Sequence, residues 1–171
     1  MMKLIGAAFI IVATTWTGFE ASRHLTERPR QLRMLKSALQ SLEAEIMYGH
    51  TPLHEAARRL STQMSKPLSW FFEGFASKLT GSDTTVKIAW EESLNEIWKL
   101  TAFRQGEYEI MKQFGETLGR HDRHSQQKQI MLALSHLERE EADAVERQAK
   151  YEKMVKSLGI LSGLLLVILL M

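Results

Sequence analysis

Two uncharged apolar runs bracket this chain, Leu4–Phe19 near its start and Leu158–Met171 at its end, and the stretch between them is rich in both charge signs. Whatever forms between the runs has to accommodate where they go. A hydrocarbon core about 30 Å thick is crossed by roughly 20 helical residues, so each run is short unless its flanks contribute. They do contribute. Met1–Lys3 suits one headgroup layer, Glu20 to Arg23 reach the other, and Trp16 stands near that second boundary, where an amphipathic ring is favoured. At the far end Met154, Val155 and the stem of Lys156 lengthen the second run. Both are expected to span, with slight thinning of the bilayer. A cleaved signal peptide would also place a lysine before apolar residues, but bulky Trp16 and Phe19 stand where small residues belong. The plainer alternative for the second run is a buried core helix, yet its uncharged length fits a membrane anchor better.

Orientation follows from the basic flanks. Arg23, Arg28, Arg30, Arg33 and Lys36 come after the first run, Arg147, Lys150, Lys153 and Lys156 precede the second, and Lys3 lies outside the pair. The positive-inside bias then predicts a two-span hairpin with both termini facing out. Its parts are an N-terminal span over 1–21, a cytoplasmic domain over 22–156 and a C-terminal span over 157–171. Glu20, at the edge of a span, is costly unless it reaches headgroup water, Arg23 or another subunit. Gly159 with Gly163, and Gly18 with Ser22, repeat the four-residue spacing that lets helix backbones approach, which makes them candidates for packing one span on another.

The middle reads as helix throughout. Leu32, Leu35, Leu39, Leu42 and Ile46 alternate by three and four after Pro29, a proline that suits a helix start and disfavours helix at Arg28. Gly49 falls where a C-terminal cap belongs, and Thr51-Pro52 suggests a side-chain N-cap with proline at the first helical position. The next helix turns Leu53, Ala56, Ala57, Leu60 and Met64 inward; after Ser65–Pro67 a third presents Leu68, Phe71, Phe72, Phe75 and Leu79. Gly81-Ser82-Asp83 precedes a fourth with Val86, Ala89, Trp90, Leu94, Ile97 and Trp98. A shorter fifth, from about Glu107 to Leu118, buries Ile110, Met111, Phe114 and Leu118 and stops at Gly119. From about His124 the pattern resumes with Ile130, Leu134 and Leu137, and no proline or glycine interrupts it before Gly159. One long helix should therefore run on into the second apolar segment. Its stretch Glu138–Lys153 is expected to be a solvated face held by charge pairs three or four apart, or a stalk. The fold class is all-α: two terminal transmembrane helices flanking a six-helix cytoplasmic bundle.

Chemistry is excluded more readily than assigned. With 22 basic and 20 acidic residues, the net charge of +2 suggests neither nucleic acid nor a strongly acidic partner. The absence of cysteine removes disulfides, thiolate nucleophiles and cysteine-ligated metals. No GxxxxGK[ST], GxSxG or HExxH spacing occurs. His50 with His54, and His121 with Asp122 and His124, are the best metal candidates, but neither comes with a third ligand, and loop or cap roles suit them better. Neighbouring carboxylates such as Glu43 and Glu45, or Glu91 and Glu92, project to different faces and form no acid/base pair. No catalytic residue, cofactor or metal is assigned.

The segment "ATTWTGFEASRHLTERPRQLRMLKSALQSLEAEIMYGHTPLHEAARRLS" closely resembles the stage III sporulation protein AB family of spore-forming Firmicutes, and the resemblance covers the whole chain, terminal runs included. The soluble part of that family resembles the cytoplasmic helical domain of the inner-membrane platform protein of type II secretion and type IV pilus systems. The shared pattern is a helix, a glycine, then Pro-Leu opening the next helix, here Gly49, Pro52 and Leu53; "FFEGFASKLTGSDTTVKIAWEESL" resembles the following pair only loosely. The resemblance implies a non-enzymatic subunit of the mother-cell membrane complex that helps build a channel to the forespore and supports late forespore gene expression. By the same analogy it links a cytoplasmic ATPase to components beyond the membrane. Arg28, Arg30, Arg33, Gly49, Pro52 and Leu53 are then candidates for partner contact, and the spans would meet lipid and other channel subunits. Secretion platforms carry two such domains and this chain has one, which implies a homo-oligomer or added partners. The competing class is a membrane-anchored enzyme or sensor with a site hidden in the bundle; a large shift in melting temperature on adding nucleotide or chelator would favour it.

Overall fold

Leu32, Leu35, Leu39 and Leu42 are all buried on one face of the first helix, as their spacing requires. The structure is a computed structural model that describes residues 26–48, 51–81, 84–119 and 123–170. We label its helices α1 (26–48), α2 (Leu53–Gln63), α3 (Leu68–Thr80), α4 (Val86–Ile97), α5 (Gln105–Thr117) and α6 (Arg123–Leu170), with a 3₁₀ turn over Trp98–Leu100 between α4 and α5. Among the described residues the fold is all-α, with six α-helices and no strand.

Local chemistry accounts for most boundaries, with some corrections. Arg28 is helical although Pro29 follows it, against the pre-proline bias. Helix α2 begins one residue later than expected: Pro52 itself is the N-cap, Thr51 makes no side-chain cap, and the Pro52 carbonyl accepts from Glu55 and Ala56. Helix α4 is capped by Thr85, whose hydroxyl accepts from the Ile88 N–H at 3.3 Å. Trp98 belongs to the 3₁₀ turn rather than to α4, and α5 starts two residues earlier than expected, at Gln105. Its end matches expectation, because Gly119 takes a left-handed φ of 76° that side chains other than glycine's resist.

Successive helices pack in order, α2 on α3, α3 on α4, α4 on α5 and α5 on α6. Trp90 of α4 sits at the centre of their shared core, its ring edge-on to Phe71 at 4.7 Å, Phe75 at 5.0 Å and Phe114 at 5.2 Å between centroids. The indole N–H donates to the Met111 carbonyl at 2.8 Å, so the one polar atom of this buried ring is satisfied. Gly115 explains how α5 comes so close: a Cβ there would overlap the Trp90 ring.

Helices α1 and α6 run antiparallel, and polar bonds set their register. Gln127 bonds Glu43 at 2.8 Å, Lys36 pairs with Glu141 at 3.0 Å, Arg33 with Glu141 at 2.8 Å, and Arg28 with Asp143 at 3.0 Å. As the α1 number falls, the α6 number rises. The stretch Glu138–Lys153 is therefore neither a merely solvated face nor a free stalk, because its carboxylates at 140, 141 and 143 reach across to α1. Helix α6 continues for 48 residues through the second apolar run, as the unbroken pattern predicts. Among the described residues no helix is long and apolar enough to cross a membrane. The first run, with Trp16, Gly18, Glu20 and Ser22, lies outside the described residues, as do the side chains of Gly159 and Gly163.

Candidate functional site

At one end of the α1–α6 pair, an arginine is held by carboxylates from two other helices. Arg28 donates from Nε to Glu107 Oε1 at 2.7 Å, from Nη2 to Glu140 Oε2 at 2.7 Å and from Nη1 to Asp143 Oδ2 at 3.0 Å. Only a guanidinium presents donors in a planar fork that meets three separate acceptors at once. Glu107 is completely buried and opens α5; its second oxygen accepts from the Arg104 backbone N–H at 2.8 Å, the reach-back of a carboxylate at the third helical position. Asp143 also receives Arg147 Nε at 2.9 Å from one turn further along α6.

Electrostatics follow from this geometry. Burial works to lower the Arg28 pKa, but the bonds to Asp143 and Glu107 outweigh it and raise the pKa above its ordinary value. The bonds from Arg147 and Arg28 hold the Asp143 carboxyl below the usual range. For Glu141, burial pushes upward and is outweighed by Arg33 and Lys36, so it too is held low. All of these groups are charged at neutral pH. Next to the cluster, the buried Gln31 accepts the Ala102 N–H at 2.8 Å, tying α1 to the segment that joins the 3₁₀ turn to α5. The outer wall of the cluster opens on a groove of about 560 Å³ lined by Arg104, Asp143, Glu146, Arg147, Lys150, Tyr151 and Met154.

The sequence-derived contact candidates separate on this framework. Arg28 is buried and committed inside the fold, so it is withdrawn as a surface contact: its charge is already matched by three carboxylates. Arg30 and Arg33 do reach the surface, with side chains 61% and 63% exposed beside Glu27 and Glu141. Pro52 is exposed and Leu53 packs partly against the core, at the other end of α1; Gly49 lies outside the described residues. At 1.5 Å per residue, the 15 to 18 positions from Arg33 and Arg30 to Tyr48 set these two groups roughly 22–27 Å apart, so they form two surfaces and not one. His54 is half-buried and His124 exposed, while His50, His121 and Asp122 lie outside the described residues. Among the described residues no group of three or more His, Cys, Asp or Glu could hold a metal. Missing from the sequence-derived candidates are Glu107, Glu140, Asp143 and Gln31; only Glu107 carries a local signal, its position three residues after an N-cap.

The family model for stage III sporulation protein AB matches residues 3–171. The chain belongs to the stage III sporulation protein AB family. Stage III sporulation protein AB of Bacillus subtilis (strain 168) is 60% identical over 171 residues, all of both chains. A solved structure of stage III sporulation protein AB (SpoIIIAB) is 55% identical with a TM-score of 0.70, covering 72% of this chain and 98% of its own. Family membership assigns the chain a role in sporulation, and neither relative's name states an enzymatic activity.

Proposed function

We propose that this member of the stage III sporulation protein AB family is a non-enzymatic platform subunit of the mother-cell-to-forespore channel complex. It is held by two membrane spans, with the helical domain on the cytoplasmic side, and it links a cytoplasmic ATPase to membrane and intermembrane-space components. The observation that carries this reading is the antiparallel pairing of α1 with α6. The ladder from Glu43–Gln127 to Arg28–Asp143 directs the N-terminal end of α1 and the outgoing part of α6 toward the same end of the bundle. That is the end to which the sequence attaches both apolar runs, as a hairpin through a single bilayer needs, and the basic residues near that end agree with a cytoplasmic face. The buried Arg28 cluster then locks the register of the two helices at the point where they leave the domain.

Under this reading the exposed faces of the bundle serve partners. Arg30 and Arg33 lie at the membrane-proximal end and the Pro52–Leu53 turn at the distal end, which suits the distal turn to a cytoplasmic ATPase and the proximal arginines to membrane subunits. The test is co-purification from sporulating cells carrying R30E/R33E or P52A/L53S. The distal pair is expected to lose the ATPase and keep the membrane subunits, the proximal pair the reverse, both with reduced spore yield. Retention of every partner with full spore yield in both variants would remove the platform assignment.

A further inference from the structure

Ile88 of α4 and Leu132 of α6 are 46% and 47% exposed, on helices that lie on either side of α5 in the packing order, and Met131 beside Leu132 is 54% exposed. One exposed apolar side chain needs no explanation. The charges around these do set them apart. From His124 to Leu137 helix α6 carries no carboxylate, and exposed Lys128, His136 and Arg139 share the face of Leu132 at helical spacing. Glu138, the first carboxylate after that stretch, leans toward Lys36 of α1 at 3.8 Å. On α4 the sign is reversed: Glu91, Glu92 and Glu96 follow Ile88, and no base intervenes before Lys99. Glu91 and Glu96 are engaged within the chain by Lys112 and Lys78. Among the described residues no ion pair engages Glu92, one turn from Ile88, nor Lys128 or Arg139.

The contacts of α5 fix the relative levels of the two faces along the bundle. Helix α5 is antiparallel to α4, with Lys112 on Glu91 at 3.4 Å and the Tyr108 hydroxyl on Asn95 at 2.7 Å. It is antiparallel to α6 as well: Gly106 lies against Glu140, Phe114 shares a crevice with Leu132 and Ala133, and the Gly119 N–H bonds Gln126 at 3.0 Å. Helices α4 and α6 therefore run in the same direction. Read across α5, Ile88 is level with Met131 and Leu132, and Glu92 with Ser135 and His136, to within about one helical turn. An apolar centre with a free carboxylate toward the membrane-proximal end of the bundle on one face thus matches an apolar centre with free cations around it on the other.

We propose that the α4 face of one copy packs on the α6 face of a second copy of this chain, with Ile88 on Met131 and Leu132 and Glu92 reaching His136 and Arg139. Copies anchored in one bilayer share their orientation and differ by rotation about the membrane normal, so surfaces meet only where their levels agree. These two agree. The shared orientation rests on the two-span reading, whereas the apolar and charge complementarity of the faces does not. Each copy carries both faces, so the contact closes as a pair or as a ring according to the angle between them.

Because the chain has no cysteine, full-length I88C and L132C proteins each carry one thiol, at an exposed position that leaves the core untouched. The two, distinguished by tags of different length, are reconstituted together into phosphatidylglycerol and phosphatidylethanolamine vesicles and treated with a short bismaleimide, which bridges side chains of helices packed at about 8–10 Å. Expected is a mixed I88C–L132C dimer well above the collision background, set by mixing L132C with Y48C, whose Tyr48 is 83% exposed at the far end of α1. E92R or R139E, placed in both chains, is expected to lower the mixed yield about fivefold, the scale of one exposed ion pair, and E92R/R139E to restore it. A mixed yield no higher than background in protein that resists alkaline carbonate extraction would overturn the contact and leave the spans standing. The mixed dimer in protein that carbonate extracts would instead overturn the two-span reading and leave the contact. I88C alone linking as well as the mixture would overturn the pairing of α4 with α6, and a double reversal no better than the single ones would overturn the Glu92 to Arg139 pairing.

Discussion

Arg28 shows how far one residue's role depends on what surrounds it. Glu107 is completely buried, so a variant lacking the guanidinium leaves a carboxylate with no cation in the interior, at a cost of about 3–5 kcal/mol. Glu140 and Asp143 stand at the rim and rehydrate when released. R28M is therefore expected to lower the thermal midpoint of the full chain in detergent sharply, and R28M/E107L to recover most of the loss, because a buried ion pair replaced by apolar groups of similar size is often near neutral. A double variant no more stable than R28M would show that Glu107 is not what makes the arginine necessary. Nothing next to Arg28 in the sequence separates it from Arg30 and Arg33. Its burial is a property of the helices that close over it.

Between α1 and α6 the same carboxylates act as a ladder, and its pH dependence has a definite sign. Asp143 and Glu141 titrate below the ordinary carboxylate range in the folded chain, so on acidification the unfolded chain takes up protons first. Their contribution is complete above about pH 5 and is lost as the pH falls through about 4 and on to the depressed folded values. D143N is expected to be less stable than the parent at pH 7 and to show a shallower loss of stability between neutral and acidic pH, measured by thermal melts across that range. Identical slopes for the two proteins would show that Asp143 contributes nothing to the acid limb. At this scale the alternation of three and four places the inward leucines of α1 and the aromatic face of α3 correctly, since a helix closes its own hydrogen bonds and needs no partner to set its period. The charged stretch of α6 is where that logic stops: counting charges along one helix finds pairs within it, such as Asp143 with Arg147, but not the bonds to α1.

For the whole molecule, the direction in which α1 and α6 leave the bundle decides topology. If both apolar runs enter one bilayer from its basic, cytoplasmic side, an enzyme reporter active only outside the cytoplasm and fused after Met171 is active. The same reporter inserted after Gly81, in the connection between α3 and α4, is silent. The reverse pattern would turn the molecule over and place the Arg30 and Pro52 surfaces away from any cytoplasmic ATPase. The antiparallel register itself shows only that the described start of α1 and the outgoing part of α6 lie at the same end of the bundle.

By itself the sequence determined the six α-helices of the described residues, their inward faces, the stop at Gly119 and the unbroken course of α6, all of which follow from hydrogen bonding and side-chain period within a few turns of chain. Only the tertiary structure decided which charges face water. Arg28 meets Glu107 across 79 positions and Glu140 across 112, and no local pattern encodes a pairing between residues that become neighbours only when three helices close over one guanidinium.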